Sequence, residues 1–294
     1  MSTSNHLLVA PFRKGWFVGA CVFFGVPIHG WAVEHLDAVR IESENAPKID
    51  GDLSDDVWAT AALIPNLTQM YPLEQTAPSE NTEIRLCFDE RNLFVSFRCF
   101  DRSPDEVNAS IMQRDQSVRA DDYVFILLDP YQTGRDGYYF RLNANGAKGE
   151  GRITSFLSRP NMNWDAIWDG AGRKTEEGWA VEFAIPFRSV SFDPNSSTWA
   201  VNFGRWLPRA QERNRWSGAF RNRNSHKLED AGSLSGLSDL ESGVGVDLKP
   251  YVLGRHQNGS QGDGYDFDYG ADLFWQITPN LTATLTWNTD FAEA

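Results

Sequence analysis

Seven basic side chains, Arg205, Arg209, Arg213, Arg215, Arg221, Arg223 and Lys227, crowd into residues 205–227 against the single acid Glu212. Trp206, Trp216 and Phe220 are interleaved with them. Cations alternating with aromatic rings can attract acidic glycans or the phosphates of a lipid headgroup. The acidic neighbours Glu229, Asp230, Asp239 and Glu241 favour the plainer reading of a solvated strand pair. Asp121, Asp122 and Asp129 offer hard oxygen ligands suited to calcium, with strand capping the stronger expectation for each. Catalytic constellations do not emerge. The stretch from Gly232 to Gly236 has Leu234 at its centre instead of a nucleophilic serine, and His35, His226 and His256 have no zinc-ligand spacing. Glycoside hydrolysis needs two placed carboxylates, and among 40 Asp and Glu residues the sequence nominates no pair, so no catalytic residue is assigned.

The formal charge of -13 argues against nucleic acid as a partner, because a polyanion is held through a net cationic surface. The 11 tryptophans suit sandwich cores, glycan-stacking platforms or membrane-interface belts, and composition does not choose among them. The N-terminus reads as an export signal over residues 1–32: Arg13-Lys14, an apolar run over 15–28, and the small-x-small site Gly30-Trp31-Ala32. The run is shorter than the ~20 residues a membrane-spanning helix needs. These features predict a protein of the periplasm or outer membrane of a Gram-negative bacterium.

The elements that must position any site read as short strands. Ile84, Leu86 and Phe88 alternate with Glu83 and Arg85, and residues 123–128 form an apolar run expected of a strand buried on both faces. Trp179, Val181, Phe183 and Ile185 share one face opposite Glu182, and Trp199, Val201 and Phe203 repeat the pattern. Without helical crossovers, such a series predicts an antiparallel β-sandwich, here placed at residues 45–230. Trp58, in a short helical turn after Ile49-Asp50-Gly51, is expected to plug its core. If Phe88 lies opposite Leu93 across the turn at 89–92, Cys87 faces Phe94 and Cys99 faces Thr82. Alternation then sends the two sulfurs to opposite faces, as free thiols.

A linker-like passage is expected at 231–245. Beyond it, Phe267, Tyr269, Ala271, Leu273 and Trp275 alternate with polar residues, and so do Ala283, Leu285 and Trp287. Strict alternation over about nine to eleven residues suits a transmembrane strand with one face to lipid. With residues 246–254, three such strands are expected at 246–294. A closed membrane barrel needs about eight, so these are read as the start of a truncated one.

The residues resemble a known arrangement in which a module related to carbohydrate-binding module family 9 precedes an outer-membrane barrel of unknown function. The resemblance is carried by Ile49-Asp50-Gly51 with Trp58, Leu93-Phe94-Val95, Arg114-Asp115, Asp121-Asp122, Leu128-Asp129, Tyr138-Tyr139-Phe140-Arg141-Leu142-Asn143 and Gly178-Trp179-Ala180-Val181-Glu182-Phe183. The barrel part is matched by Pro250-Tyr251-Val252-Leu253-Gly254 and Ile277-Thr278-Pro279-Asn280-Leu281-Thr282.

What the resemblance implies is an all-β, jelly-roll-like sandwich that holds an oligo- or polysaccharide between aromatic faces, with amide and charged side chains bonding its hydroxyls. Carried over by position, Arg141 and Asn143 match the module's polar ligands and Trp216 its second sandwiching tryptophan. Arg119 stands near the place of the first tryptophan, and Phe125 at that of an acidic residue. Trp164 and Trp168, loop aromatics, are candidates to replace the missing face, although core packing is the stronger reading of both. No cofactor is expected. Calcium stays open through the three aspartates, and a haem reading through Met112 lacks a second axial ligand, since no histidine lies in the sandwich before His226. Three functions are weighed: a non-catalytic glycan-recognition domain, a ligand-free structural plug of a barrel, and part of a glycoside-hydrolysing system in carbohydrate catabolism.

Overall fold

A computed structural model describes residues 34–155, 159–242, 246–259, 262–278 and 281–288. The expected export signal therefore lies outside the described residues. Along the chain run β1 (His35–Asp37), β2 (Val39–Arg40), β3 (Ala62–Ile64), β4 (Thr68–Tyr71), β5 (Thr82–Phe88), β6 (Asn92–Phe100), β7 (Tyr123–Asp129), β8 (Gly137–Asn143), β9 (Lys148–Ile153), β10 (Asp169–Thr175), β11 (Gly178–Pro186), β12 (Trp199–Leu207), β13 (Glu212–Arg215), β14 (Gly232–Ser235), β15 (Val246–Gly259), β16 (Gly262–Thr278) and β17 (Leu281–Trp287). One single-turn helix, α1, spans Val57–Thr60.

These strands make an eight-stranded sheet ordered β1-β14-β12-β7-β8-β9, with β13 and β4 continuing beside β12, and a six-stranded sheet ordered β10-β11-β6-β5-β2, with β3 on β5. Strands β15, β16 and β17 form a separate three-stranded meander. The all-β sandwich expected from alternation is what the chain adopts. Period-two patterning decides which residues enter the core: Ile84, Leu86, Val95, Phe97, Val181 and Phe183 come from one sheet, and Val124, Ile126, Phe140, Val201 and Phe203 from the other. Phe97 meets Phe203 across the interface, ring centres 6.1 Å apart.

The β5–β6 register is as expected: Phe88 opposite Leu93, Cys87 opposite Phe94, Thr82 opposite Cys99. Asp89 builds the connecting turn by accepting from the backbone N–H groups of Arg91 (2.8 Å) and Asn92 (2.6 Å). Cys99 joins the inter-sheet core and Cys87 the opposite face, and both are free. Burial pushes each thiol up to about 12.

Two expectations need correction. Trp58 is buried, but on the outer face of the six-stranded sheet, with Val57, Ala61, Cys87, Phe94 and Ala184, and not between the sheets. The cause is Glu182, whose outward carboxylate accepts from the Trp58 indole N–H (2.8 Å) and from the backbone N–H groups of Asp50 (3.0 Å) and Gly51 (2.8 Å). Residues 232–235, expected within the linker, are instead strand β14, pairing with β12 on one side and in parallel with β1 on the other. Leu234 is fully buried there, and two small-residue turns had concealed the strand.

In the meander, Val246 pairs with Trp275, Leu248 with Leu273 and Val252 with Tyr269, while Leu273 also pairs with Leu285 and Ala271 with Trp287. One face is therefore apolar across all three strands, with Val252, Phe267, Tyr269, Leu285 and Trp287 exposed.

Candidate functional site

The eight-stranded sheet has a second, outward face, and its residues follow from parity. On β7, Val124, Ile126 and Leu128 enter the core, so Tyr123, Phe125 and Leu127 point outward. The same count turns Tyr139 and Arg141 outward on β8, and Trp206 on β12. Cross-strand register arranges these residues in rows.

The inner row runs Arg141, Phe125, Gly204, Arg215. Segment 217–231 covers it and seats the buried Leu228 in a cluster with Phe125, Leu127, Tyr139 and Ile153. Gly204 is required here, because a Cβ would collide with the Phe125 ring. Asn202 fixes both ends of the cover: its amide donates to the carbonyls of Ser217 (2.9 Å) and Asp230 (3.3 Å), and its oxygen accepts from Ser217 N (3.1 Å). Arg215 lies buried beneath and donates to the Lys227 and Asn224 carbonyls. Burial lowers its guanidinium to about 10 against the pull of Asp230. The His226 ring rests 5.2 Å from Tyr139 and 5.8 Å from Phe125, and burial with Arg215 and Arg213 nearby depresses its pKa to about 3. It is neutral at physiological pH.

The next row is open at its Tyr71 and Arg213 end. It runs Tyr71 on β4, Arg213 on β13, Trp206 on β12, Tyr123 on β7 and Asn143 on β8. Tyr71 is 39% exposed, Arg213 is exposed, and Trp206 and Tyr123 are half-buried. From Tyr71 to Tyr123 the row crosses three strand spacings, ~14 Å. Trp206 is locked in place: its indole N–H donates to the Arg119 carbonyl (3.0 Å), and the Arg213 guanidinium carbon stands 5.1 Å from its ring centre. Arg221 stands likewise over Tyr71, at 5.1 Å. Burial raises the Tyr123 phenol pKa, partly offset by Arg141, Arg213 and Arg119, so the phenol stays protonated.

The residues singled out from sequence scatter around this row. Arg119 is exposed beside it, and Arg141, on the adjoining row, donates to the Gln116 carbonyl (2.7 Å). Asn143 closes the row but is fully buried and fully used. Its amide donates to Ile111 O and Asp121 Oδ2 (both 2.8 Å), and its oxygen accepts from Ala147 N (2.7 Å) and Asn145 N (3.1 Å). Trp216 is a core side chain, 5.6 Å from Phe203 and covering Gly232, so neither indole face is presented to a ligand. Trp168 stacks on Phe183 at 5.6 Å and 9°, and Trp164 lies on Tyr138 at 5.1 Å; both belong to the inter-sheet core or its margin.

The aspartates are capping residues. Asp121 accepts from Ser110 N and Oγ, Ile111 N and Asn143, bonds that outweigh burial and hold its carboxyl below the usual range. Asp122 accepts from Asn108 N (3.0 Å) and Asp129 from Gly134 N (2.7 Å), and burial raises both. Sequence reasoning missed a different acidic group. Asp115, Glu150 and Asp165 bring oxygens within 4.8 Å of one another, but Glu150 is already paired with Arg114 and accepts from Ala166 N (3.2 Å).

The basic run divides in the structure. Arg205 is buried and reaches Asn81 O, Thr82 Oγ1 and Phe100 O, while Arg209 pairs with Asp101 (2.7 Å). Arg223 and Lys227 pair with Glu229 (3.5 Å each). The solvated reading fits that part. Arg213 and Arg221 differ, each lying over an aromatic ring of the open row. A shallow cleft of about 240 Å³ also lies on the opposite side of the sandwich, lined by Leu53, Asp55, Trp58, Arg85, Ser96 and Arg98.

Among solved structures, the chain is similar to a protein from Bacteroides uniformis provisionally described as carbohydrate-binding (TM-score 0.57, 14% identity, covering 69% of this chain and 99% of that one). It is also similar to a family 9 carbohydrate-binding module from Caldicellulosiruptor kristjanssonii. The complex of that module with glucose gives a TM-score of 0.49 at 16% identity, covering 69% of this chain and 95% of the other. Its complex with cellotriose gives 0.48 at 17% identity, covering 68% and 94%. At these identities the likeness is one of fold. No family model matches the sequence, and no curated protein does.

Proposed function

We propose that the chain is an exported, non-catalytic saccharide-binding module, and that the saccharide lies along the open row of Tyr71, Trp206 and Tyr123. The single observation carrying this reading is that row: aromatic rings in cross-strand register on a partly exposed sheet face, with guanidinium groups over two of them. Pyranose C–H groups pack on aromatic faces, while Arg supplies paired planar donors for neighbouring hydroxyls. The row holds no Asp or Glu, whereas glycoside hydrolysis requires two carboxylates flanking the scissile bond. That favours binding over hydrolysis. The sandwich fold, shared with the Bacteroides uniformis protein, is compatible with this role.

The apolar face of β15–β17 supports a place at the outer membrane, with Phe267, Tyr269, Trp275, Leu285 and Trp287 directed to lipid. Calorimetric titration with neutral and acidic oligosaccharides tests the reading. The native protein is expected to bind at least one of them. Trp206→Ala is expected to weaken that binding about two- to tenfold, given the ~0.5–1.5 kcal/mol an aromatic contact supplies, with an unchanged circular dichroism spectrum. A native protein that binds none of the panel would remove the basis of the proposal.

A further inference from the structure

The open row carries more positive charge than a neutral sugar needs. Arg213 stands in it and Arg221 over its Tyr71 end, Arg141 lies on the adjoining row two residues from Asn143, and Arg119, whose backbone carbonyl accepts from the Trp206 indole, is exposed beside it. Among the described residues, none of these four has a carboxylate within ion-pair distance. Arg205, Arg209, Arg223 and Lys227 all do. Arg141 acts by charge on the Asp115 carboxyl, with no ion pair between them. Beneath the cluster lies Arg215, also buried without a bonded carboxylate, its side chain satisfied by backbone carbonyls.

Mutual repulsion of these cations costs free energy, and an anion seated among them recovers it. Guanidinium groups match a carboxylate in a planar, two-bond geometry that a hydroxyl cannot reproduce. Resting on the saccharide reading above, we propose that the recognised saccharide is acidic, a uronic-acid-containing oligosaccharide whose ring lies on Trp206 and whose carboxylate sits among Arg213, Arg119 and Arg141. The remainder of the acidic protein repels such a ligand, so recognition acts at short range, within a screening length of ~8–10 Å. Salt screens the attraction of the local guanidinium groups, so affinity falls as salt rises.

The test is a titration with a panel of oligouronides (galacturonate, glucuronate and mannuronate), each beside its carboxyl-reduced counterpart, at low and high sodium chloride. At least one oligouronide is expected to bind about tenfold tighter than its reduced form, with a preference that shrinks severalfold as salt rises. Arg213→Gln and Arg119→Gln are expected to narrow the gap between the two forms, whereas Trp206→Ala weakens both alike. Equal, salt-independent binding of acidic and reduced forms overturns this inference and leaves the saccharide reading standing. Binding of neither form overturns both. Binding of phosphatidylglycerol vesicles in place of any oligouronide would also overturn it, assigning the charge to a lipid surface.

Discussion

Trp206 and Trp199 sit on the same strand, seven residues apart, yet one is half-open and the other fully buried. An odd separation along a strand places them on opposite faces, and that parity alone separates a ligand platform from a core side chain. The same rule makes Glu182 an outward carboxylate beneath the Trp58 lid, where it satisfies three N–H donors at once. Replacing it leaves those donors buried without an acceptor, so Glu182→Ala is expected to lower stability by about 2–5 kcal/mol, read by urea denaturation. A loss under about 0.5 kcal/mol, the range of an ordinary surface change, would mean that the lid is held by apolar contact alone. At this scale much was legible. The facing of Cys87 and Cys99, the outward Glu182 and the capping aspartates all follow from alternation and turn chemistry. Trp216 was not legible, because its orientation depends on a bend after Arg215 and on Gly232 passing beneath its ring, contacts distant in sequence.

Among the elements, strand β12 organises the outer face. Its first half pairs with β14 and its second half with β13, so one strand edge carries both the buried margin of the sheet and the open row. Segment 217–231 then decides which part of the face stays free, covering Phe125 and Tyr139, with the half-buried Tyr123 packed at its margin. Leu228 is the segment's apolar anchor and Asn202 its polar one. Leu228→Ala is expected to cost about 2–4 kcal/mol and to increase binding of a hydrophobic dye as Phe125 and Tyr139 become accessible. Unchanged dye binding would show that the cover holds without its anchor. The strands themselves were readable from periodicity, since each buries a continuous stripe. The cover was not, because 217–231 has no periodic apolar pattern and reads as a charged surface loop. Strand β14 escaped for a similar reason: Gly232-Ser233-Leu234-Ser235 offers a single apolar residue to mark it.

At the scale of the molecule, the chain combines a sandwich with one aromatic, cationic row and a meander with one exposed apolar face. Tyr269 and Trp287 lie 5.6 Å apart on that face. If the face meets lipid, the protein is expected to float with phospholipid vesicles, and brominated lipids are expected to quench part of its tryptophan fluorescence; Trp275→Phe together with Trp287→Phe should abolish that quenching. Quenching that persists in the double variant would place the lipid contact elsewhere. The sandwich as a whole was legible from strand spacing, whereas the open row required knowing which strands neighbour one another. Residues 71, 123, 206 and 213 become adjacent only through register. The most direct measurement is therefore a crystal structure with a bound oligosaccharide. The sugar is expected on Trp206, flanked by Tyr71, Tyr123 and Arg213. A sugar seated instead in the cleft beside Arg85 and Arg98, on the opposite sheet, would contradict the account.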